Sequence, residues 1–505
     1  MNVCDYLLAG KPPSAIALLT LEGECTYGAL NSAVDRTLAC LVRNGCRKGD
    51  RVLLLADNGA FWVAAYLGCL RAGLVCVPIA GKSSPEELEH IYYTSQPSFL
   101  FAEAKYRAKI PQWWFPAVSA FDGFLSGGPD GFACSAVYSQ NIPAQMRTTC
   151  DMAEGDLAAL MFTSGSTGKP RGVMISHGNI IANTDSIVQY LSLTAQDRVM
   201  AVLPFHYCFG TSLLHTHLRV GGSLVIDPRF MYPEKVLQRM KETSCTGFAG
   251  VPSHFQILLR KSNLARSSFP SLRYVQQAGG ALAANFICEL CDALPGKQVF
   301  VMYGQTEATA RLSYLPPESL PEKLGSIGKG MPGVKLSVLN EAGSEVPAGE
   351  TGEIVAEGKN LALGYWNDPE ESARCFRNGK LYTGDLAMVD EEGFIFIVDR
   401  AKDFLKCGGK RISCRSLENT LLENPEVLEA AVVGVPDEIL GEAAVAYIVP
   451  RDRKHPLSGQ CLNEYCRQRL PLSFVPKNFI LMPSLPKNSS GKILKPLLKN
   501  QTISQ

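Results

Sequence analysis

Met161-Phe162-Thr163-Ser164-Gly165-Ser166-Thr167-Gly168-Lys169-Pro170-Arg171-Gly172 decides how the rest of the chain is read. Apolar runs on both sides predict strands, and between them stand small hydroxyl residues, glycines and two cations. Glycine lets a backbone come close to an anion, and exposed N–H groups and hydroxyls can then surround phosphate oxygens. Lys169 is followed by Pro170, so the G-x-x-x-x-G-K-[ST] phosphate loop does not fit. A surface loop is the plainer alternative. The position directly after a buried strand favours a phosphate cradle made of Thr163, Ser164, Gly165, Ser166, Thr167, Gly168, Lys169 and Arg171.

Outward from this loop, runs rich in Val, Leu and Ile alternate with amphipathic stretches, an α/β signature. Arg51 to Leu55 reads as a strand and Phe61 to Ala72 as a helix. Ser223 to Ile226, then Pro233 to Glu242, repeats the pair, and Val299 to Met302 reads as another buried strand. From Gly333 the pattern changes to short strands between Gly and acidic turns (Val334 to Leu339, Gly352 to Ala356, Gly393 to Val398), which predicts a small all-β, barrel-like unit. Beyond residue 400 an α+β pattern appears, with helices over Ser416 to Leu422 and Leu462 to Leu470 and strands over Ala430 to Val435 and Ala443 to Val449. The expected division is 1–399 and 400–505.

Bulk composition excludes several classes. The 505 residues carry a net charge of +1, which gives no basis for nucleic-acid binding. The most apolar stretch, Phe61 to Ile79, is broken by Gly68, Arg71 and Gly73 and ends at a proline, so it predicts a buried helix and strand rather than a membrane span. The first residues lack a basic, then apolar, secretory leader. The 17 cysteines are scattered, many in apolar surroundings such as Cys69, Cys76 and Cys245, which fits reduced thiols and a cytoplasmic protein. Cys288 and Cys291 form a lone C-x-x-C on a helical pattern without a second pair at zinc spacing, and His215 and His217 read as packing residues.

Three further motifs carry chemistry. Tyr303-Gly304-Gln305-Thr306-Glu307 follows a buried strand, where open α/β sheets place ligands. An aromatic ring there can stack on a base, a hydroxyl can meet a phosphate, and a carboxylate can hold Mg²⁺. A turn capping a helix at Thr306 is the structural alternative. Tyr382-Thr383-Gly384-Asp385, with Asp399-Arg400 further on, can hold ribose hydroxyls or can be an ordinary turn between strands. Pro486-Lys487-Asn488-Ser489-Ser490-Gly491-Lys492-Ile493-Leu494-Lys495 is a basic, Gly-containing loop that alone reads as a solvated tail.

The order and spacing of these motifs, from Leu19-Thr20 to Lys495, resemble the AMP-forming acyl-CoA synthetases, luciferases and adenylation domains. Leu70-Arg71-Ala72-Gly73, Gly325-Ser326-Ile327-Gly328 and Gly364-Tyr365-Trp366-Asn367-Asp368-Pro369 add to the resemblance. It implies an α/β N-terminal domain with a small β unit and a small mobile α+β C-terminal domain. It implies an enzyme that uses ATP and Mg²⁺ to convert a carboxylic acid to acyl-AMP and passes the acyl group to a thiol. The loop from Thr163 would wrap the β- and γ-phosphates, Thr306 would meet the α-phosphate, and Glu307 would bind the metal. Tyr303 would stack on adenine, with Gly304 and Gln305 beside it and Gly279-Gly280-Ala281 lining base and acid. Asp385 and Arg400 would hold the ribose. Lys492 would bridge carboxylate and α-phosphate, Lys402 would be the hinge, and Lys406 with Gly408-Gly409 would meet the thiol.

The acid pocket is expected from His206, Gly210, Val251, Gly280 and Ala281, with His206 also a catalytic candidate. Phe205 to Gly210 contains no Asp to pair with an α-amine, so a fatty or aryl acid is favoured over an amino acid. Coenzyme A is the expected thiol, and the phosphopantetheine of an acyl carrier protein the alternative. The basic run Lys406 to Arg415 suits either. A non-catalytic nucleotide-binding relative is disfavoured because Glu307 and Lys492 are both present.

Overall fold

The computed structural model describes residues 1–111, 114, 119–122, 126–128, 131–133, 152–164, 170–400, 404–407, 410–437, 440–451, 457–487 and 493–503. Its largest sheet has nine strands, in the spatial order Glu24–Thr26, Ile16–Leu19, Ser223–Ile226, Arg198–Ala201, Gly247–Gly250, Tyr274–Gln277, Gln298–Tyr303, Ser313–Leu315, Lys329–Gly330. From Ile16–Leu19 to Gln298–Tyr303 every neighbouring pair is parallel. Strands of this kind are buried on both faces, which explains their unbroken apolar runs. Parallel pairing also puts all their carboxyl ends on one edge.

A six-stranded sheet lies beside it, built on Arg51–Leu55, Val75–Ile79 and Phe99–Ala102 and edged by the hairpin Leu157–Ser164 and Pro170–Ser176. The stretch Phe61 to Ile79 resolves into the buried helix Ala60–Arg71 and the strand Val75–Ile79, as its apolar pattern predicts. Among the described residues no helix is long and apolar enough to cross a membrane. Cys69, Cys76 and Cys245 are buried free thiols. His215 and His217 are core residues: His215 Nε2 pairs with Tyr66 Oη at 2.9 Å and His217 Nε2 with Tyr274 Oη at 3.0 Å.

The third sheet has five antiparallel strands between Val334 and Arg400, an open half-barrel. It corrects one expectation, because this unit is not all-β: the helix Pro369–Cys375 sits within it. Asp368 caps that helix by accepting from Glu371 N, Pro369 opens it, and Glu370 and Glu371 fill its first turn. Those are the ordinary signs of a helix start, legible in the sequence.

A fourth sheet starts at Phe404–Cys407 and contains Val427–Asp437 and Gly441–Pro450. With the helices Cys414–Leu422 and Gly459–Arg467 it forms the small C-terminal domain behind a large N-terminal one. The two meet where Asn285 Nδ2 donates to the Leu422 carbonyl at 3.1 Å and Ser413 Oγ to Asp399 Oδ2 at 2.7 Å.

Candidate active site

Four adjacent parallel strands, each followed by a loop, build the floor of the site. Arg198–Ala201 leads to His206–Gly210, Gly247–Gly250 to Val251, Tyr274–Gln277 to Gly279–Ala281, and Gln298–Tyr303 to Gly304–Glu307. Because those strands are neighbours, segments up to 100 residues apart lie side by side on one sheet edge. Two of these loops touch: a Cβ on Gly279 would lie 2.9 Å from Val251 Cγ1, and one on Gly280 would lie 3.3 Å from Pro252 Cγ. Gln277 Nε2 donates to the Gly280 carbonyl at 2.8 Å and holds that loop against the strand.

Two glycines are required by close approach. At Gly210 a Cβ would stand 2.1 Å from the Pro204 carbonyl oxygen, and at Gly304 it would stand 2.0 Å from the Ala310 carbonyl oxygen. Backbone on both sides leaves neither contact room to relax.

Tyr303 and Asp385 meet directly. The Tyr303 hydroxyl donates to Asp385 Oδ2 at 2.6 Å, and Asp385 is 4% exposed. The strand Lys380–Val389 pairs Asp385 with Arg400, so the three candidate nucleoside residues share one corner. Arg415, from the C-terminal domain, donates its backbone N–H to Asp399 Oδ2 at 3.4 Å, and burial lowers the pKa of its guanidinium against the opposing pull of Asp399 and Asp385.

Thr306 opens the short 3₁₀ turn Thr306–Ala308 rather than an α-helix. Glu307 is anchored twice: Tyr365 Oη donates to its Oε1 at 2.8 Å, and Ala362 N donates to its carbonyl at 2.8 Å. Thr309, next but one, has φ 64° and ψ −43°, a conformation that costs a β-branched residue about 1–3 kcal/mol. Its hydroxyl donates to the Asn360 carbonyl at 2.7 Å and holds the turn there.

The segment around Tyr365 ties this turn to the phosphate hairpin. Met174 N donates to the Gly364 carbonyl, Leu363 N to the Met174 carbonyl, and Trp366 N to the Gly172 carbonyl, at 2.8–2.9 Å. Arg171, expected beside phosphate, is paired here with two carboxylates. Its Nε pairs with Asp368 at 3.1 Å and its Nη1 with Glu371 at 2.9 Å, across from the Tyr365 ring. The guanidinium is committed to fastening the hairpin to the helix Pro369–Cys375. Thr163, opposite Arg171 in the hairpin, is half-buried. Gly165, Ser166, Thr167, Gly168, Lys169, Lys402, Gly408, Gly409 and Lys492 lie outside the described residues, as do the side chains of Ser164, Arg400 and Lys406.

His206 contributes a neutral ring. Burial lowers its pKa to about 4 against an opposing pull from Asp57, and its Nε2 has no protein partner among the described residues. Gln305 Nε2 is likewise buried without one. Lys487, at the head of the loop containing Lys492, lies close enough to His254 to depress that ring's pKa further after burial, to about 4. Lys487 itself pairs with Glu429 at 2.8 Å.

Tyr365, Asn360 and Arg415 were not singled out as site residues from sequence. Tyr365 lies in the quoted Gly364 to Pro369 motif, which was its signal. Arg415 ends the basic run Lys406 to Arg415, which reads toward the thiol and not the nucleoside, and Asn360 carries no local pattern that marks it.

Glu307 and Thr306 offer adjacent oxygen donors, the kind Mg²⁺ prefers. Among the described residues no cluster of three or more His, Cys, Asp or Glu could hold a metal. A cation at Glu307 would therefore complete its shell from phosphate oxygens and water.

The chain matches two family models, the AMP-binding enzyme over residues 8–366 and the AMP-binding enzyme C-terminal domain over residues 416–492. It is 33% identical to a feruloyl-CoA synthase from an Amycolatopsis species over 96% of both chains. It is 30% identical to the 2-succinylbenzoate–CoA ligase of Bacillus subtilis over 97% of this chain and 95% of the relative. Among solved structures, ATP-bound MatB from Rhodopseudomonas palustris superposes with TM-score 0.88 at 29% identity, covering 99% of each chain. The o-succinylbenzoate CoA synthetase of Bacillus subtilis, in complex with its acyl-adenylate, gives 0.84 at 29% identity, covering 99% of this chain and 97% of that one.

Proposed function

The chain belongs to the family of AMP-binding enzymes, the AMP-forming acid–thiol ligases, and from that membership we propose that it joins a fatty or aryl acid to coenzyme A through an acyl-AMP intermediate. One observation carries the residue assignments: the Tyr303–Asp385 corner and the Thr306–Glu307–Tyr365 turn open from the same strand end. An aromatic face, a ribose-binding carboxylate, a phosphate-facing hydroxyl and a metal-binding carboxylate then follow one another along an outstretched ATP.

Carboxylate and ATP are both anions, so the first task is to bring like charges together. Lys492 does this by standing between the acid carboxylate and the α-phosphate, where it offsets repulsion and stabilises developing charge. The carboxylate oxygen attacks the α-phosphorus, the bond to the β-phosphate oxygen breaks, and pyrophosphate leaves. Mg²⁺ bound at Glu307 would supply charge neutralisation on the phosphate oxygens. Thr163 to Lys169 receive the departing pyrophosphate through hydroxyls and backbone N–H groups. A thiol then attacks the acyl carbonyl and AMP departs.

His206 stays neutral at physiological pH and lines the acid pocket with Gly210, Val251, Gly280 and Ala281. An apolar or aryl acid suits such walls. The proposed division at residues 399 and 400 draws support from the change of sheet nearby, the third ending at Arg400 and the fourth starting at Phe404. Lys402 lies between them, where rotation would exchange Lys492 for the Gly408-Gly409 loop.

The test is mass spectrometry of the protein incubated with ATP, Mg²⁺ and a panel of fatty, aryl and amino acids, with and without coenzyme A. Acyl-AMP that converts to acyl-CoA supports the proposal. Acyl-AMP that persists with coenzyme A present overturns the choice of thiol and points to a carrier protein.

A further inference from the structure

Against the loop proposed to line the acid lies a buried cation that the proposed reaction does not use. Arg311 is 1% exposed, and its guanidinium carbon sits 4.0 Å above the Phe209 ring. Phe209 belongs to the His206–Gly210 loop, directly before Gly210. Arg311 Nε donates to Met302 Sδ at 3.4 Å, and Tyr190 faces the same guanidinium. Its Nη2 has no partner, and among the described residues no carboxylate pairs with it.

A second buried polar group shares that face of the sheet. Gln276 is 1% exposed, and neither its Nε2 nor its Oε1 has a partner among the described residues. Alternation along a strand puts Gln276 on the face of Tyr274 and Ala278. Its register neighbour is Phe300, two residues before Met302. Tyr274, Ala278, Phe300 and Met302 form one cluster, and Phe209 packs against it. Ala278 directly precedes the pocket glycines Gly279-Gly280.

Burying donors and acceptors without partners is costly, and native proteins rarely leave them so. Two such side chains on one face, packed with Phe209 and Ala278 of the loops proposed to line the acid, are the complement of a polar ligand group. We infer that the acid carries an oxygen acceptor, a carboxylate or carbonyl, at the end remote from its reacting carboxylate, and that Arg311 and Gln276 receive it. The inference rests on the acid-activating reading of this site and narrows its substrate class: the acid has an apolar body and an oxygenated far end. Arg311 supplies forked N–H donors to that oxygen, and Gln276 supplies one more donor.

The test uses matched acids of equal length that end in methyl, primary amide or carboxylate, with both aliphatic and aryl bodies. Pyrophosphate release gives kcat/KM for each, and calorimetric titration gives the binding of each acid without turnover. The wild type should favour the oxygen-ended member over its methyl isostere by roughly tenfold to a hundredfold, the usual range for leaving a charged donor unpaired. A carboxylate preferred over an amide identifies an anionic end, and equal use of the two identifies a neutral acceptor; both support the assignment. Arg311→Met and Gln276→Leu should each shrink the ratio, and Arg311→Lys should keep part of it. ATP binding by each variant reports that it is folded. A wild type indifferent to the far end, or a Gln276→Leu and Arg311→Lys pair with unchanged ratios, overturns the inference while leaving the ligase reading intact. Oxygen-ended acids that bind selectively but never yield pyrophosphate overturn the ligase reading and support the assignment of Arg311.

Discussion

Replacing Tyr365 with Phe removes a single atom from the site, the hydroxyl that donates to Glu307 Oε1 at 2.8 Å. The ring should stay where it is. Tyr365 is 7% exposed and packs edge-on against Phe376, with ring centroids 5.9 Å apart. A hydrogen bond to an ionised group contributes about 1.5–3 kcal/mol, and water at the half-buried Glu307 would restore part of that, leaving a loss of about 1–2 kcal/mol. At about 1.4 kcal/mol per factor of ten, this is roughly a fivefold to thirtyfold effect. If Glu307 holds Mg²⁺, the effect should fall on the metal. Half-saturating Mg²⁺ should rise by that factor, and kcat/KM at limiting Mg²⁺ should fall by it. Excess Mg²⁺ should restore most of the rate. Pyrophosphate release titrated with MgCl₂ reads this out, and thermal unfolding serves as the control, with a shift of no more than about 3 °C expected for a loss of this size. A variant that loses rate equally at all Mg²⁺ concentrations, or loses none, would refute the link from Tyr365 through Glu307 to the metal.

Lys492→Ala should strongly reduce acyl-AMP formation and largely spare thioester formation from supplied acyl-AMP; single-turnover assays of the two halves would show whether they separate. Gly210→Ala drives a Cβ to 2.1 Å from the Pro204 carbonyl, a backbone contact that cannot relax cheaply, so stability should fall by about 1–3 kcal/mol, an amount typical of overpacking, and the thermal midpoint should drop with it. Acid sensitivity follows from the buried imidazoles. Burial lowers His177, His206, His217 and His254 to about 4, with Lys487 adding to the effect at His254, and lowers His215 to about 3, against an ordinary value of 6.5. The unfolded chain then binds more protons than the native one below pH 6.5, so stability is fully present above that value and is lost as pH falls towards about 4. A thermal midpoint that stays level from pH 7 to pH 4.5 would contradict this.

Much of the core was legible because parallel strands bury both faces and so leave long apolar runs. Arg51–Leu55 and Ser223–Ile226 appear in the structure with the ends their residues predict. The antiparallel Val334–Leu339 does so too, set off by its flanking glycine and acidic turn. The helix Pro369–Cys375 was overlooked although its cap, its proline and its acidic first turn were in plain view. Glycine-rich and hydroxyl-rich motifs were legible for a chemical reason: a backbone able to approach phosphate is restricted in residue type locally, so Thr163 to Gly172 and Tyr303 to Glu307 stand out without any partner in view.

Tertiary structure alone decided the partners. No spacing in the chain tells that Arg171 spends its charge on Asp368 and Glu371, because a cation's role depends on which carboxylates the fold brings within reach. Tyr365 reaches Glu307 across 58 residues, and Tyr303 reaches Asp385 across 82, through sheet pairings that a linear pattern cannot specify. Arg311 is the sharpest case. In sequence it is one arginine among many, and only its burial over Phe209, with an unmet donor, gives it meaning. Local sequence determines which residues can do chemistry, since that follows from side-chain type and backbone reach. Burial and strand order determine which of them meet and which are left wanting a partner.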